Sequence, residues 1–216
     1  MAYQPKDAFY RKAKKEGFRS RAAYKLLELN RRFRLISPGD RVVDLGAAPG
    51  GWLQVAARLA GRAGKVIGVD LQPIEPVGQQ NVMLLQGDIF SLETEDKLKG
   101  ISACSVDCVL SDLSPRLSGI RDADISRSIE LARGALRLAC RLLRPGGNFL
   151  VKSFVGDELG DFAQELSECF DTVQRTRPEA TRKGSSEIYL CAKGFRGRAQ
   201  AAETGDSGGQ RQGQRV

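Results

Sequence analysis

The stretch from Val42 to Trp52 reads Val-Val-Asp-Leu-Gly-Ala-Ala-Pro-Gly-Gly-Trp, and it decides the fold. An apolar run ends in an acid, and a glycine-rich turn then opens an amphipathic segment. This order predicts a buried strand whose carboxyl end meets a turn that a ligand can approach closely. Gly46, Gly50 and Gly51 have no Cβ, so the backbone there can adopt positive φ and lie against a cofactor.

A second apolar run, residues 66–70, narrows the kind of cofactor. It ends in Asp70, 20 residues after Gly50, where a doubly wound nucleotide-binding sheet places a carboxylate on ribose hydroxyls. The turn Gly-Ala-Ala-Pro-Gly-Gly departs from the G-x-G-x-x-G dinucleotide pattern, and Pro49 has no N–H for a phosphate. The pattern favours S-adenosylmethionine, which has a ribose and no phosphate, over NAD. A plain glycine-rich turn in another α/β protein is the alternative.

Length and composition restrict the class of protein. The 216 residues suffice for one α/β domain of ordinary size. No apolar run reaches the roughly 18 residues of a membrane span, and the N-terminus lacks a signal-peptide core, so we expect a cytoplasmic protein. Five scattered cysteines argue against a disulfide framework, and the absence of histidine excludes an imidazole base. We predict no metal site and a monomer.

The net charge of +8 is concentrated in the N-terminal fifth of the chain. Residues 1–41 hold 12 Lys and Arg against 4 Asp and Glu, whereas residues 42–216 hold 22 of each. Basic side chains neutralise phosphates, so the asymmetry predicts RNA as a partner in preference to a membrane surface. A solvated helix face is the alternative. The arm cations expected to contact phosphates are Lys12, Lys14, Lys15 and Arg19.

Aromatic residues stand among these cations. Such residues suit base stacking beside phosphate contacts, and they equally suit an arm that is pinned onto the domain. They are Tyr3, Phe9, Tyr10 and Phe18.

Alternating strand and helix patterns predict an α/β domain with a mostly parallel, seven-stranded sheet and helices on both faces. Predicted strands lie near 41–45, 65–70, 81–86, 106–111, 147–153, 171–176 and 187–193, and predicted helices near 20–34, 50–60, 125–143 and 157–168. We divide the chain into a basic, RNA-contacting arm and helix (1–40), the main domain (41–196) and a tail (197–216). The tail has almost no large apolar residue, so we expect it to be disordered.

Five runs of sequence stand in a recognisable order. They are Ser20–Leu29, Asp44–Trp52, Ser111–Pro115, Lys152–Phe154 and Arg182–Leu190. Together they resemble the FtsJ/RrmJ family of ribose 2′-O-methyltransferases, whose bacterial members act on large-subunit rRNA. The resemblance covers about residues 7–195. It implies a Rossmann-like, class I S-adenosylmethionine-dependent methyltransferase fold for residues 41–196, with S-adenosylmethionine as cofactor.

The family's catalytic tetrad, Lys-Asp-Lys-Glu, falls by motif on Lys25, Asp112, Lys152 and Glu187. Two of these also stand out in the residues themselves, because Asp112 and Lys152 each follow a buried apolar run. Ligands bind at the carboxyl ends of such strands, and a buried charge needs a partner, although a structural ion pair is the alternative. Lys25 alone resembles a solvated helix lysine, and Glu187 a strand-edge charge. The resemblance makes Lys152 the proton acceptor or the group that orients the hydroxyl.

The family's cofactor positions fall on Gly50, Trp52, Asp70, Asp88 and Asp112. The resemblance implies that Asp70 accepts hydrogen bonds from the adenosyl ribose and that Asp88 meets the adenine edge. Trp52, the single tryptophan, covers the methionine end of the cofactor or is a core aromatic.

The basic arm predicts an RNA partner, and the resemblance implies methylation of the ribose 2′-oxygen of a uridine in 23S rRNA, in the assembled large subunit. The alternatives are a ribose methyltransferase for tRNA or another RNA, and a non-catalytic RNA-binding factor in ribosome assembly. A methyltransferase for a protein or small molecule is disfavoured by the basic arm. An NAD-dependent oxidoreductase is disfavoured by Pro49.

Overall fold

A computed structural model describes residues 8–102, 106–182 and 184–197. Within these ranges, seven strands alternate with six helices. The strands are β1 (Arg41–Leu45), β2 (Lys65–Asp70), β3 (Val82–Gln86), β4 (Val106–Ser111), β5 (Leu143–Phe154), β6 (Phe170–Thr176) and β7 (Glu187–Phe195). The helices are α1 (Ala8–Lys15), α2 (Ala22–Phe33), α3 (Gly51–Ala60), α4 (Leu92–Ser102), α5 (Arg121–Leu142) and α6 (Leu159–Cys169).

The strands form one sheet in the order β3-β2-β1-β4-β5-β7-β6. All neighbouring pairs are parallel except those of β7, which runs antiparallel to β5 and β6. The predicted mostly parallel, seven-stranded sheet is therefore confirmed. The chain leaves β1 toward β2 and leaves β4 in the opposite direction, so a crevice opens at the carboxyl ends of these two strands.

Each face of the sheet carries a separate hydrophobic core. One core combines strand residues with α5, α6 and Leu98 of α4. The other buries α2, α3 and Ala13 of α1 against the opposite face. Successive strand residues alternate between the faces: Val43 and Leu45 of β1 join the first core and Val42 the second. By this alternation Asp44 faces α2 and α3.

Two helices were not predicted from the sequence. In α1 only Ala13 is buried, and the helix has only 8 residues, so its apolar pattern is too short to repeat. In α4 the fully buried apolar residue is Leu98. None of the helices in the described ranges combines the length and apolarity that a membrane crossing needs. Residues 198–216 of the predicted tail lie outside the described residues.

Candidate active site

Four charged side chains from distant parts of the chain meet at the carboxyl edge of the central strands. Asp112 directly follows β4, and Lys152 lies close to the end of β5. Because β7 is antiparallel to β5, its first residue, Glu187, pairs with Phe154 and reaches the same edge. Lys25 extends from α2, which packs against this face of the sheet.

The four residues form two ion pairs. The ammonium of Lys152 lies 3.0 Å from Asp112 Oδ1, and it donates to the Asp112 backbone carbonyl at 2.8 Å. Lys25 Nζ donates to Glu187 Oε2 at 2.8 Å. Lys25 and Lys152 are only 7% and 5% exposed, so the carboxylates compensate charges that burial would otherwise penalise. Lys25 is therefore not the solvated lysine that its local sequence suggested.

Tyr189 joins the two ion pairs, and the sequence analysis missed it. Its hydroxyl accepts a hydrogen bond from Lys25 Nζ at 3.2 Å and donates to Asp112 Oδ1 at 2.8 Å. Burial, with the charges of Asp112 and Glu187, raises the pKa of Tyr189 well above its usual value, so the phenol keeps its proton. Strand alternation could have revealed it, since Tyr189 lies two residues after Glu187 on the same face.

The glycine-rich turn after β1 requires residues without a Cβ. Gly50 has a φ of +106°, and a Cβ there would lie 2.7 Å from Val77 Cγ1. Gly46 has a φ of +78°, and a Cβ there would lie 2.8 Å from Leu113 Cδ2. Both conformation and space therefore demand glycine. The Ala48–Pro49 peptide bond in this turn is cis.

Two of the predicted cofactor carboxylates flank this turn. Asp70 accepts from the backbone N–H of Ala48 at 3.0 Å and of Gln72 at 2.8 Å, so it also shapes the turn. Asp88 follows β3, is exposed, and accepts from the Phe90 N–H at 2.9 Å. Among the described residues, no lysine or arginine forms a salt bridge with either carboxylate.

Asp44 is the most unusual group beside the turn. Its carboxylate is fully buried, and neither oxygen has a hydrogen-bond partner among the described residues. Burial, with the charges of Asp112 and Asp70, raises the pKa of Asp44 well above its usual value. A cationic ligand group in this position would supply the partner that the protein does not. The sequence analysis noted this acid but gave it no role.

Trp52 is a core aromatic residue. It is 3% exposed, its indole N–H donates to the Ala22 carbonyl at 2.8 Å, and its ring lies 6.0 Å from that of Tyr189. It thus ties α3 to the helix that carries Lys25. Its predicted contact with a cofactor stays a prediction.

A cavity of about 690 Å³ adjoins the ion pairs, with Lys25 and Glu187 in its wall. Arg21 and Arg182 also line the cavity, and Leu117 belongs to an apolar part of its wall. Burial and the nearby charge of Arg182 lower the pKa of Arg21 from its usual high value. A cavity of this size holds a small ligand, and guanidinium groups suit phosphate or carboxylate.

Two aromatic residues of the basic arm, Phe9 and Phe18, pack onto the domain. The rings of Phe9 and Phe18 lie 5.7 and 5.6 Å from that of Tyr24, and the Arg58 guanidinium lies 4.7 Å from the Phe18 centroid. For Phe9 and Phe18, the pinned arm is therefore the correct alternative. Tyr3 lies outside the described residues.

Comparison with known proteins places this site in a family. The profile of the FtsJ-like methyltransferases matches residues 18–195. The chain is 52% identical over 193 residues to Ribosomal RNA large subunit methyltransferase E of Methanothrix thermoacetophila, covering 89% of this chain and 74% of the relative. It is 50% identical over 190 residues to the protein of that name from Archaeoglobus fulgidus, covering 88% and 96%.

A solved structure agrees with the sequence matches. A ribosomal RNA methyltransferase of Plasmodium falciparum superposes with a TM-score of 0.76 at 31% identity, covering 84% of this chain and all of that one. This protein belongs to the FtsJ-like methyltransferase family.

Proposed function

We propose that this protein transfers a methyl group from S-adenosylmethionine to the ribose 2′-oxygen of a uridine in large-subunit rRNA. The observation that carries the proposal is the position of the ion-paired residues in the wall of a cavity that guanidinium groups also line. The names of the relatives support rRNA of the large subunit as the substrate. An rRNA substrate makes the cytoplasm the proposed compartment.

The cofactor proposal rests on the residues around the glycine-rich turn. Asp44 offers two buried oxygens without partners, which suits the positively charged methionine end of S-adenosylmethionine. Gly50 and Trp52 belong to the turn and the helix after it, where backbone can approach a ligand closely. Asp70 ends β2 and Asp88 follows the neighbouring strand β3, and they would accept from the ribose hydroxyls and the adenine edge.

Lys152 is the proposed central residue of the reaction. S-adenosylmethionine, when bound, supplies the electrophilic methyl group. The ribose 2′-oxygen forms a bond to the methyl carbon as the carbon–sulfur bond breaks, and the hydroxyl loses its proton. Lys152 Nζ has three positions for hydrogen bonds. Two of them are directed at oxygens of Asp112, and the third is left for the substrate hydroxyl. An ammonium there orients the hydroxyl, and a neutral amine accepts its proton.

The remaining tetrad residues would hold this geometry. Lys25, Glu187 and Tyr189 anchor Asp112, and Asp112 anchors Lys152. Alignment of the reacting atoms can itself lower a barrier by roughly 7–11 kcal/mol, so fixed positions matter more here than a strong base.

The RNA side of the proposal combines the cavity and the basic arm. Arg21 and Arg182 would meet phosphates beside the target nucleotide, and the apolar wall with Leu117 would contact its base. The exposed lysines of α1 would contact phosphates farther along the RNA.

The test is to incubate the protein with S-adenosylmethionine labelled in its methyl group, together with large subunits, free 23S rRNA, tRNA or total protein. We expect label in large-subunit rRNA, at a nucleotide resistant to alkaline cleavage, because a methylated 2′-oxygen cannot attack the adjacent phosphate. The Lys152→Ala protein is the matched control and should transfer no label. Label on a base, on tRNA or on protein would contradict the proposed chemistry or substrate.

A further inference from the structure

Arg19, between α1 and α2, binds the loops around the glycine-rich turn. Its guanidinium donates to the backbone carbonyls of Pro49 at 3.1 Å, Glu75 at 2.5 Å and Pro76 at 2.5 Å. Its backbone N–H donates to Gln54 Oε1 at 2.9 Å. One arginine thus contacts the turn, the helix after it and the loop between β2 and β3.

The three carbonyls belong to two segments that are separate in the sequence. Pro49 lies in the turn after β1, and residues 71–81 form the loop after Asp70. This loop has no helix or strand of its own, so contacts with other segments must fix its position. Val77 of the loop lies against Gly50, close enough that a Cβ on Gly50 would clash with it.

We propose that Arg19 is a positioning residue for the cofactor, holding loop 71–81 on the glycine-rich turn. The inference rests on the proposed function in one respect, that the ligand of the turn is S-adenosylmethionine. The sequence context of Arg19 suggests an arm cation that contacts RNA. In the structure, its guanidinium instead donates to three backbone carbonyls of the protein.

The chemistry of the side chain explains why arginine suits this role. A guanidinium is a flat fork with five N–H donors, so it can bridge carbonyls from separate segments. A lysine keeps the charge but has a single nitrogen, which cannot span the same set. Charge and bridging can therefore be separated by one substitution.

The experiment compares Arg19→Lys, Arg19→Ala and Lys15→Ala. Lys15 is an exposed cation of α1, and its removal is the control for lost charge. We expect both Arg19 variants to bind S-adenosylmethionine about tenfold more weakly by calorimetry, the scale of one or two lost hydrogen bonds. The KM for the cofactor should rise in proportion, and kcat at saturating cofactor should stay within about twofold. Lys15→Ala should leave cofactor affinity unchanged.

Other outcomes overturn the inference. Recovery of cofactor affinity in Arg19→Lys, or losses confined to RNA affinity and its salt dependence, would make Arg19 an RNA contact. If Arg19→Ala fails to fold, Arg19→Lys alone carries the test, since it keeps the charge and loses the bridging, and unchanged cofactor affinity there overturns the proposal. A wild-type protein that does not bind S-adenosylmethionine contradicts the proposed function itself, whereas equal binding by wild type and Arg19→Ala contradicts only this inference.

Discussion

The two ends of the site treat charge in opposite ways. At the paired end, each buried cation has a carboxylate within 3.0 Å: Lys25 with Glu187, both in the cavity wall, and Lys152 with Asp112. At the glycine-rich end, Asp44 has no partner among the described residues. At the first end every buried charge has its counterion, whereas the second end buries a carboxyl group with no partner for its charged form.

This difference indicates which end depends on a ligand. A complete set of ion pairs holds its geometry before any substrate arrives, which is the preorganisation that alignment requires. An excess of buried negative charge destabilises the protein by itself and is compensated when a cation binds. Single substitutions at the two ends should therefore have opposite effects on stability.

The largest effect should come from Lys152→Ala at the paired end. We expect methyl transfer to fall by about 10²–10⁴-fold, the range for losing a group that handles the reacting proton. Cofactor affinity should change little, because Lys152 contacts Asp112 and not the glycine-rich turn. Single-turnover assays and calorimetry on the same preparation measure both quantities. Lys65→Ala, at an exposed lysine at the start of β2, is the control and should keep full activity.

The next effect concerns the stability of the paired end. Lys25→Met leaves Glu187 half-buried without its cation, so we expect the free energy of unfolding to fall by about 1–3 kcal/mol in urea titrations. Adding Glu187→Gln should recover part of this loss. The exposed pair Lys97–Glu93 is the control, and Lys97→Ala should change stability by at most about 0.5 kcal/mol. A loss in Lys25→Met no larger than in this control would mean that the buried pair is not needed for stability.

At the glycine-rich end, Asp44→Asn should instead increase the free energy of unfolding. The folded protein holds the Asp44 proton to a higher pH than the unfolded chain does, so this group destabilises the fold increasingly as pH rises above its usual pKa of 3.8. The variant should be more stable than wild type without cofactor, by about 1–2 kcal/mol at neutral pH, and the gap should close toward pH 4. Thermal unfolding across pH measures this. Cofactor should stabilise the variant less than wild type, and an equal shift in both would exclude Asp44 from the cofactor site.

The smallest effect should come from the arm, which lies outside both ends. Lys14→Ala with Lys15→Ala should weaken RNA binding and flatten its salt dependence by roughly 0.7–0.9 per lost phosphate contact. Arg175→Ala with Arg177→Ala removes two exposed cations at and just beyond edge strand β6 and serves as the control. Equal salt slopes for the two double variants would make the arm lysines a solvated face.

Local sequence patterns were sufficient to predict the sheet and one ion pair of the site. The central strands were visible because buried parallel strands are continuous apolar runs. An acid and a lysine that follow two of these runs indicated the pair of Asp112 and Lys152. The pair of Lys25 and Glu187 joins residues 162 positions apart, and no local pattern carries such a contact. The resemblance alone supplied it.

The residues that were missed or misread share a cause. Tyr189 and Arg19 act through partners on other elements, so their roles depend on tertiary contacts. The sequence analysis grouped Arg19 with the RNA-binding cations because its neighbours are basic. In the structure its guanidinium binds three backbone carbonyls. Asp44 was noted from the sequence only as the acid that ends an apolar run, and its missing partners in the structure are what suggest a role for it.

The place of β7 in the sheet has a consequence for synthesis of the chain. This strand lies between β5 and β6, so β6 has no sheet neighbour until β7 emerges and pairs with both. It also carries Glu187 and Tyr189, whose partner Lys25 is made near the beginning. Because a nascent chain folds from its N-terminal side onward, the candidate active site closes only when nearly all of the described residues have left the ribosome. A growing chain of this protein therefore cannot complete the two ion pairs and the tyrosine bridge before β7 has been made.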